Sequence, residues 1–395
     1  MKIELKPGVY WVGTVDWVLR RFHGFELSTP RGSTYNAYLI VDEKIALVDT
    51  VWTPFHEDLL RNIREIVEPS RIDYVIVNHS ESDHSGALPW VMRHAPKATV
   101  MVSKRGVESL QGHYHHEWPV QAVKTGDRLK LGREELLFVE APMLHWPDSM
   151  FTYLTHARIL MPNDAFGQHY ATAFRFNDQV DTTALHEEAI KYYANIVSPF
   201  ASSVAKKIAE FTALNLPVDL IAPSHGVIWR KDPMQIVALY GEWAACKPTP
   251  TAVVLFDTMW NATRLLAEAI GRGLARAGVE HKLFYMPTAD RNDVITEIFK
   301  ARAIVVGSPT FNKGLLAGVL PILDDLRGHR FPNKIGAAFG SYGWSGESVK
   351  LIEKALEEAG VVLAAEGLNV KWQPDGVALE KAEKLGETVA AAVKT

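Results

Sequence analysis

A short proline-containing segment, residues 247–250, separates two stretches of sequence with different periodic patterns. After this segment, short apolar runs alternate with amphipathic stretches, which predicts five strand–helix units. Strands that alternate with helices in this way form a parallel sheet with helices on both faces. The sequence therefore predicts a doubly wound α/β domain over residues 251–395.

The predicted strands of this domain cover residues 252–256, 282–286, 303–306, 335–339 and 361–364, and the helices cover 263–277, 292–301, 315–326, 347–359 and 378–393. Residues 1–248 show instead many short apolar runs, at 38–41, 45–48, 74–77, 99–102, 136–139 and 220–222. Helical patterns at 56–66 and 201–214 lie between them. This first part is predicted to be a mixed α/β domain rich in strands.

Composition excludes several classes of protein. The 395 residues carry a net charge of -4 with both signs interspersed, so nothing indicates nucleic acid or an anionic membrane as a partner. No apolar run is long enough to cross a bilayer. The single cysteine, Cys246, excludes an internal disulfide and any iron site built from several thiolates. We expect a cytoplasmic protein whose metals are held by nitrogen and oxygen.

Four potential metal ligands follow the apolar strand at residues 74–77. They are His79, Glu81, Asp83 and His84, all within six positions. A polar loop that is rich in such residues by chance is the alternative, but this density directly after a buried strand favours a metal site. Dense histidines also occur at 113, 115 and 116, where no strand precedes them, so there we expect a solvated helix end.

Three further apolar strands are each followed by one residue that can bind a metal. These residues are His145, Asp164 and His225. Strand ends at one rim of a sheet lie close together, and loops there carry function. Four histidines and three carboxylates exceed what one metal needs, so two metals are expected, each with two histidines, one terminal carboxylate and open positions. This ligand set suits non-haem iron.

The motif His-x-Glu-x-Asp-His at residues 79–84 resembles that of the metallo-β-lactamase fold, whose zinc hydrolases have histidine where this chain has Glu81. An additional carboxylate is a harder ligand that favours iron over zinc. Segments 145–150, 163–169 and 223–230 resemble the flavodiiron proteins, and this resemblance extends over essentially the whole chain. It implies an N-terminal αββα domain of the metallo-β-lactamase type.

The resemblance also implies how the iron ligands are shared. One iron would be held by His79, Glu81, His145 and Asp164, and the other by Asp83, His84 and His225 with Asp164 shared. It places Tyr193 and His23 beside the irons, where they could donate protons or hydrogen bonds. For Tyr193, a role in packing is the alternative.

Three loops of the second domain follow its first, third and fourth predicted strands. In a doubly wound sheet these strand ends surround the ligand, and FMN lies where the strand order reverses. The loops combine hydroxyls and amides at a helix start with glycines beside aromatic rings. Their residues are Thr258, Met259, Trp260, Asn261, Ala262, Thr263, Ser308, Pro309, Thr310, Phe311, Asn312, Ser341, Tyr342, Gly343, Trp344, Ser345 and Gly346.

All three loops resemble those of the flavodiiron flavodoxin-like domain, which implies FMN as the cofactor. Ala262 departs from the family, whose members usually carry Ser or Asn there, so we expect weakened FMN binding. The resemblance implies reduction of dioxygen to water, of nitric oxide to nitrous oxide, or of both. FMN would relay electrons from an external donor such as rubredoxin.

The flavin and metal sites lie on different domains joined by a short linker. The resemblance therefore implies a head-to-tail homodimer, or a tetramer built from two such dimers. Two alternatives remain open at this point. One is a zinc-dependent hydrolase of the metallo-β-lactamase fold fused to a flavodoxin module, and the other is an electron carrier with a structural metal domain.

Overall fold

The computed structural model describes residues 3–22, 24 and 27–394. The chain forms two compact units, Met1–Ala244 and Ala245–Thr395. Both units are built from sheets covered by helices. Among the described residues, we find no helix with the length and apolar character that a membrane-spanning segment needs.

The first unit contains two main sheets. Its strands are β1 (Ile3–Lys6), β2 (Val9–Trp11), β3 (Thr14–Asp16), β4 (Arg21–Phe22), β5 (Leu27–Ser28), β6 (Ser33–Tyr35), β7 (Tyr38–Val41), β8 (Ile45–Val48), β9 (Tyr74–Val77), β10 (Thr99–Ser103), β11 (Val120–Val123), β12 (Arg128–Lys130), β13 (Glu135–Glu140), β14 (Met150–Leu154), β15 (Ile159–Met161) and β16 (Leu220–Ile221). A seven-stranded sheet has the order β1-β2-β7-β8-β9-β10-β11, and a five-stranded sheet has the order β12-β13-β14-β15-β16. The short pairs β3–β6 and β4–β5 lie outside both.

Helices of the first unit occur between these strands. They are α1 (His56–Arg64), α2 (Ser82–Ser85), α3 (Leu88–His94), α4 (Lys104–Tyr114), α5 (Thr182–Tyr192), α6 (Ala201–Ala213) and α7 (Met234–Ala244). A π-helical turn, Tyr193–Val197, follows α5 directly and leads through a short 3-10 turn into α6.

Alternation of side chains along the strands builds the layers of the first unit. In β7, Tyr38 and Ile40 point into a core that also contains Phe138 and Ile159 of the second sheet. Leu39 belongs to the opposite core, which includes residues of α1, α3 and α4. Because successive side chains of a strand face opposite sides, one apolar strand supplies both cores. The arrangement is the αββα sandwich of the metallo-β-lactamase fold, which confirms the predicted fold class.

The second unit is a parallel sheet with helices on both faces. Its elements are β17 (Thr249–Phe256), α8 (Ala262–Arg276), β18 (His281–Tyr285), α9 (Arg291–Lys300), β19 (Ala301–Gly307), α10 (Leu320–His329), β20 (Ile335–Tyr342), α11 (Ser348–Glu358), β21 (Val362–Leu363), β22 (Leu368–Lys371) and α12 (Gly376–Val393). The strand order is β18-β17-β19-β20-β21, with β22 also paired to β20, and all pairs are parallel. This is the flavodoxin-like order, so the predicted doubly wound sheet is confirmed.

Two details of the second unit differ from the sequence-based expectation. The helix expected at residues 315–326 begins only at Leu320, with Pro321 in its first turn. Proline fits the first turn of a helix but not its interior, so the residues before it form a loop. The strand expected at 361–364 is shorter, and a separate strand, β22, pairs with the later part of β20.

A buried lysine lies at the start of β20. Lys334 is only 4% exposed, and its Nζ donates hydrogen bonds to the carbonyl oxygens of Phe299 (2.8 Å) and Ala301. Burial lowers the pKa of Lys334 to about 7 because the charged ammonium loses water without gaining a carboxylate. The side chain therefore links the stability of this unit to pH.

We predict that the free energy of unfolding rises with pH between about 7 and 10.5 through Lys334. In that range the unfolded lysine binds a proton that the folded one has released, so the contribution is about 1.4 kcal/mol per pH unit. Urea unfolding of the wild type and of Lys334→Met across this range measures the effect. The difference between the two proteins should grow with pH, and a difference that is independent of pH would contradict the assignment.

Candidate metal centre and flavin site

Ends of neighbouring strands deliver the predicted metal ligands to one rim of the first unit. β9 lies between β8 and β10 in parallel pairing and leads into His79 and α2. β15 and β16 are parallel neighbours, so Asp164 and His225 emerge on the same side. His145 lies in the loop between β13 and β14. The alternation of buried strands and polar loops thus brings distant parts of the sequence together.

All seven predicted side chains meet in the structure, in two groups. His79, Glu81, His145 and Asp164 form one group, and Asp83, His84 and His225 form the other. Within each group, the candidate ligand atoms lie within 4.8 Å of one another. No third group of this kind occurs among residues 3–22, 24 and 27–394, and His113 and His115 are exposed at the end of α4.

Asp164 faces both groups with different oxygens. Its Oδ2 lies 3.3 Å from Nε2 of His145 and 3.9 Å from Nε2 of His79. Its Oδ1 lies 3.0 Å from Nε2 of His84 and 3.5 Å from Nε2 of His225. Each oxygen therefore belongs to a different group, which is the position of a carboxylate that bridges two metal ions.

The other two carboxylates each belong to one group. Glu81 Oε2 lies 3.2 Å from Nε2 of His79 and 3.5 Å from Nε2 of His145. Asp83 Oδ2 lies 3.2 Å from Nε2 of His84 and 3.0 Å from Nε2 of His225. Atoms bound at about 2.1 Å to one metal ion are about 3 to 3.4 Å apart, so these separations fit coordination spheres.

Several of these atoms lie close to an opposite charge but make no well-aligned hydrogen bond within the described part of the chain. They are Oδ1 and Oδ2 of Asp164, Oδ1 of Asp83 and Nε2 of His84, all buried. Buried polar atoms in native proteins are almost always satisfied. A cation between them would satisfy these atoms together, so the residues fit a pair of metal ions.

Electrostatics of the cluster supports the same interpretation. Burial opposes protonation of His84 and His145, but the neighbouring carboxylates outweigh it and raise the pKa of each to about 9. Burial opposes ionisation of Asp164, but the histidines outweigh it and hold its pKa well below the ordinary value. Without metal, protons on the histidines balance the carboxylates, and a divalent ion can replace those protons.

Two buried carboxylates that the sequence analysis missed support the ligands. Asp49 Oδ1 accepts a hydrogen bond from the amide of Asn78 (2.8 Å), and its Oδ2 accepts from Nδ2 of Asn78 and of Asn163 (both 3.2 Å). Burial raises the pKa of Asp49 to about 6. Asp49 follows the apolar strand β8, so the strand-end pattern that found the ligands would also have found it.

Asp148 is the second carboxylate. Its Oδ1 lies 3.1 Å from Nδ1 of His79, and its Oδ2 accepts hydrogen bonds from the amide (2.8 Å) and hydroxyl (2.5 Å) of Ser80. Burial opposes ionisation, yet the hydrogen bond with His79 lowers the pKa of Asp148 to about 2. Asp148 lies in the His145 loop, and no sequence periodicity marks it.

Of the two further residues predicted beside the irons, the structure describes only Tyr193. His23 lies outside the described residues. Tyr193 is fully buried and packs against Tyr240 and Trp243, at ring distances of 4.9 and 5.3 Å. Its neighbour Tyr192, which the sequence analysis did not name, lies beside Asp164: burial, followed by the charge of Asp164, raises its pKa well above 10.

Loops after the strands of the second unit form a connected rim. Thr263 and Ser341 share a hydroxyl hydrogen bond of 3.0 Å, and the amide of Thr310 donates to the carbonyl of Ser341 (2.8 Å). Thr258 Oγ1 is buried and has no hydrogen-bond partner among the described residues. It lies shortly before the N-terminus of α8, where backbone amides attract phosphate. The unsatisfied hydroxyl and the helix start fit a phosphorylated cofactor.

Large aromatic side chains stand exposed at the same rim. Trp260 is 80% exposed and Trp344 is 87% exposed. The sequence analysis missed a third ring, Trp372, which follows β22 and packs so closely on Gly343 that a Cβ there would lie 2.9 Å from it. Single exposed residues are ordinary, but several tryptophans at one sheet edge indicate a surface that binds a flat ring.

Comparison with known proteins agrees with this division. Residues 34–226 match a family model described as ODP family beta lactamase, and residues 254–386 match one described as Flavodoxin. The chain thus combines a metallo-β-lactamase-like domain with a flavodoxin domain.

Relatives cover the whole length of this arrangement. The chain is 51% identical to a nitric oxide reductase of Moorella thermoacetica over 99% of this chain and 98% of that protein. It is 44% identical to an anaerobic nitric oxide reductase flavorubredoxin of Escherichia coli over 99% of this chain and 82% of that protein.

Solved structures give the same result. A rubredoxin oxygen:oxidoreductase from Desulfovibrio gigas aligns with a TM-score of 0.98 at 38% identity, over 100% of this chain and 99% of that one. The flavodiiron protein from Giardia intestinalis aligns with a TM-score of 0.95 at 33% identity, over 100% and 97%. The chain belongs to the flavodiiron protein family of oxidoreductases, whose cofactors are FMN and a pair of iron ions.

Proposed function

We propose that this chain reduces nitric oxide to nitrous oxide, dioxygen to water, or both, at two iron ions held by the two groups that share Asp164. The observation that carries the proposal is the division of Asp164 between the groups, with Oδ2 facing His79 and His145 and Oδ1 facing His84 and His225. A carboxylate that bridges two ions keeps them close enough to act on one small substrate.

Glu81 is the reason to propose iron and not zinc. Its carboxylate adds a hard oxygen ligand to the group of His79 and His145. Imidazoles combined with carboxylates and open positions are typical of non-haem iron sites. Zinc hydrolysis by the same fold is the competing function, and the Glu81 carboxylate argues against it.

Electron count supports complete reduction. When bound, FMN and the iron pair each supply two electrons, and together these four suffice to reduce dioxygen to two waters, whereas two suffice for the reduction of two nitric oxides. Protons must come from the protein or from water. The Tyr192 hydroxyl beside Asp164 retains its proton at neutral pH, because burial and the charge of Asp164 raise its pKa, so it can donate a hydrogen bond there.

Access to the two groups is unequal. The side chains of Glu81 and His145 are 29% and 17% exposed, whereas those of Asp83, His84 and His225 are buried. We infer that a diatomic substrate approaches from the side of Glu81 and His145. The walls around His225 are aromatic, with rings of Phe22 and Tyr35 at centroid distances of 5.4 and 5.9 Å.

FMN would be held by the three loops after β17, β19 and β20. The hydroxyl of Thr258 and the amides at the start of α8 would bind its phosphate, and the exposed tryptophans would cover its ring. Ala262 is the first residue of α8 and offers only its backbone amide. The phosphate therefore gains one hydrogen bond fewer than a serine there would supply.

No rubredoxin-type iron site can form within these 395 residues, because such a site needs several thiolates and the sequence has one cysteine. We propose rubredoxin or a similar small protein as the donor, since one relative is named a flavorubredoxin and extends beyond the part that this chain matches. A head-to-tail homodimer, alone or paired into a tetramer, would bring each flavin near the irons of the partner. We propose the cytoplasm as its location.

The function is tested by gas reduction. Protein loaded with iron and FMN is reduced without air and then given limiting dioxygen or nitric oxide. We expect rapid reoxidation without hydrogen peroxide, and one nitrous oxide for every two nitric oxides. Steady-state rates with both gases and one reduced rubredoxin then identify the preferred substrate. Slow reoxidation with accumulation of peroxide would identify an electron carrier and would contradict the proposal.

Replacing Glu81 by histidine should change metal preference. We expect Glu81→His to lower the ratio of bound iron to zinc by about tenfold, because a softer nitrogen replaces a hard oxygen. The metal content of protein reconstituted with equal iron and zinc measures this ratio. Glu57→His, at an exposed position in the first turn of α1, is the matched control and should leave the ratio unchanged. An unchanged ratio in Glu81→His would remove Glu81 from the ligand set.

The flavin loops are tested by two substitutions with opposite expected effects. Thr258→Val should weaken FMN binding about tenfold, since a hydrogen bond to a charged phosphate contributes about 1.5 to 3 kcal/mol. Ala262→Ser should strengthen binding by supplying one more donor. Quenching of FMN fluorescence measures both, and Thr258→Ser, which keeps the hydroxyl, is the control. Equal affinity of Thr258→Val and wild type would exclude Thr258 from the phosphate site.

A further inference from the structure

Three of the four histidines of the metal groups differ in what their Nδ1 atom contacts. Nδ1 of His79 lies 3.1 Å from the Asp148 carboxylate, whereas Nδ1 of His225 lies 2.7 Å from the carbonyl oxygen of Thr34. Nδ1 of His84 is buried without a hydrogen-bond partner in the described part of the chain. At Nδ1, a charged acceptor therefore acts on His79, while a neutral carbonyl acts on His225.

Three hydrogen bonds from two serines hold Asp148 in place. It is 1% exposed, and Ser80 donates two hydrogen bonds to its Oδ2. The Ser103 hydroxyl, at the start of α4, donates to its backbone carbonyl at 2.7 Å. A carboxylate fixed in this way keeps its hydrogen bond to His79 and leaves Nε2 of that histidine free to bind a metal.

The ligand atoms themselves would not distinguish the two ions. Each group offers two histidines, one carboxylate of its own and one oxygen of Asp164. The other nearby buried carboxylate, Asp49, bonds to Asn78 and Asn163 and to no ligand histidine in the described residues. The hydrogen bond between Asp148 and His79 is thus a feature that makes the groups unequal at the ring nitrogens that face away from the other ligands.

A carboxylate that accepts the Nδ1 proton makes the imidazole a stronger electron donor to its metal. A stronger donor stabilises Fe(III) relative to Fe(II) and lowers the reduction potential of that ion. We propose that Asp148 makes the iron held by His79, Glu81 and His145 the harder of the two to reduce. This inference rests on the proposed function, because it requires iron in both groups.

Order of reduction follows from this inequality. With iron bound, Asp83, His84 and His225 would hold the ion that accepts the first electron from a reductant. His79, Glu81 and His145 would hold the ion that accepts the second electron. Asp148 would not bind the metal itself. It is a positioning residue that acts on the metal through its hydrogen bond with His79.

Two substitutions should move the second potential in opposite directions. Asp148→Asn removes the negative charge at the same size and should raise the second potential. Ser80→Ala removes one donor to Asp148, leaves more charge on the carboxylate for His79, and should lower the second potential. Each shift is expected to be about tenfold in the equilibrium constant, which is about 59 mV for one electron. The first potential should change little in both.

Titration of the iron- and FMN-loaded protein with dithionite measures these potentials. The iron signals are followed by electron paramagnetic resonance and Mössbauer spectroscopy, which separate them from the flavin. Ser224→Ala is the matched control, because Ser224 adjoins His225 as Ser80 adjoins His79, but its buried hydroxyl has no hydrogen-bond partner among the described residues. Both potentials should stay unchanged in that control.

Opposite shifts of the second potential support the inference. Shifts in the same direction overturn it, because they indicate a general disturbance of the site. Shifts confined to the first potential also overturn it, because they indicate that the two ions are reduced in the opposite order. If Asp148→Asn does not retain iron, Ser80→Ala decides alone: a lowered second potential supports the inference and an unchanged one overturns it. Absence of any iron signal in the wild type would instead contradict the proposed function.

Discussion

Concentration of buried carboxylates at one rim is the constraint on which the first unit depends. Asp164 and Glu81 belong to one group of ligands, Asp83 lies in the neighbouring group, and Asp49 and Asp148 contact Asn78 and His79 next to them. Buried anions are costly unless they are paired with positive charge. Protonated histidines can supply that charge in the metal-free protein, and two iron ions would supply it in the active one. The ligand atoms that lack hydrogen bonds are a consequence of this arrangement.

The scaffold is built to hold this cluster. Strands buried on both faces end at the rim, and their rigidity fixes where each ligand begins. A second layer of polar side chains then orients the ligands: Asp49 fixes Asn78 beside His79, and Asp148 fixes His79 itself. Helix α4 contributes at both ends, through Ser103 to the carbonyl of Asp148 and through Tyr114 to Ser85 at 2.7 Å. Hydrogen bonds of this kind orient the ligands and set the affinity and redox potential of a bound metal.

How much of this the sequence predicts depends on the range of the interaction. Apolar strands followed by one histidine or carboxylate are a local pattern, so residues such as His145 and Asp164 are predictable before any contact is seen. Asp49 fits the same pattern. Asp148 is not predictable, because its role depends on where the His145 loop folds back. Tyr192 is equally hidden, since its position beside Asp164 depends on packing between distant parts of the chain. The proline in the first turn of α10 explains why this helix begins later than predicted, because proline is not tolerated in a helix interior.

The central claim is that seven side chains enclose two iron ions, and diffraction at the iron absorption edge tests it most directly. Crystals of protein purified from cells grown with iron should show two anomalous peaks per chain. One peak should lie between His79, Glu81 and His145, the other between Asp83, His84 and His225, with an oxygen of Asp164 on each. A single peak, a signal at the zinc edge alone, or peaks outside these groups would contradict the account.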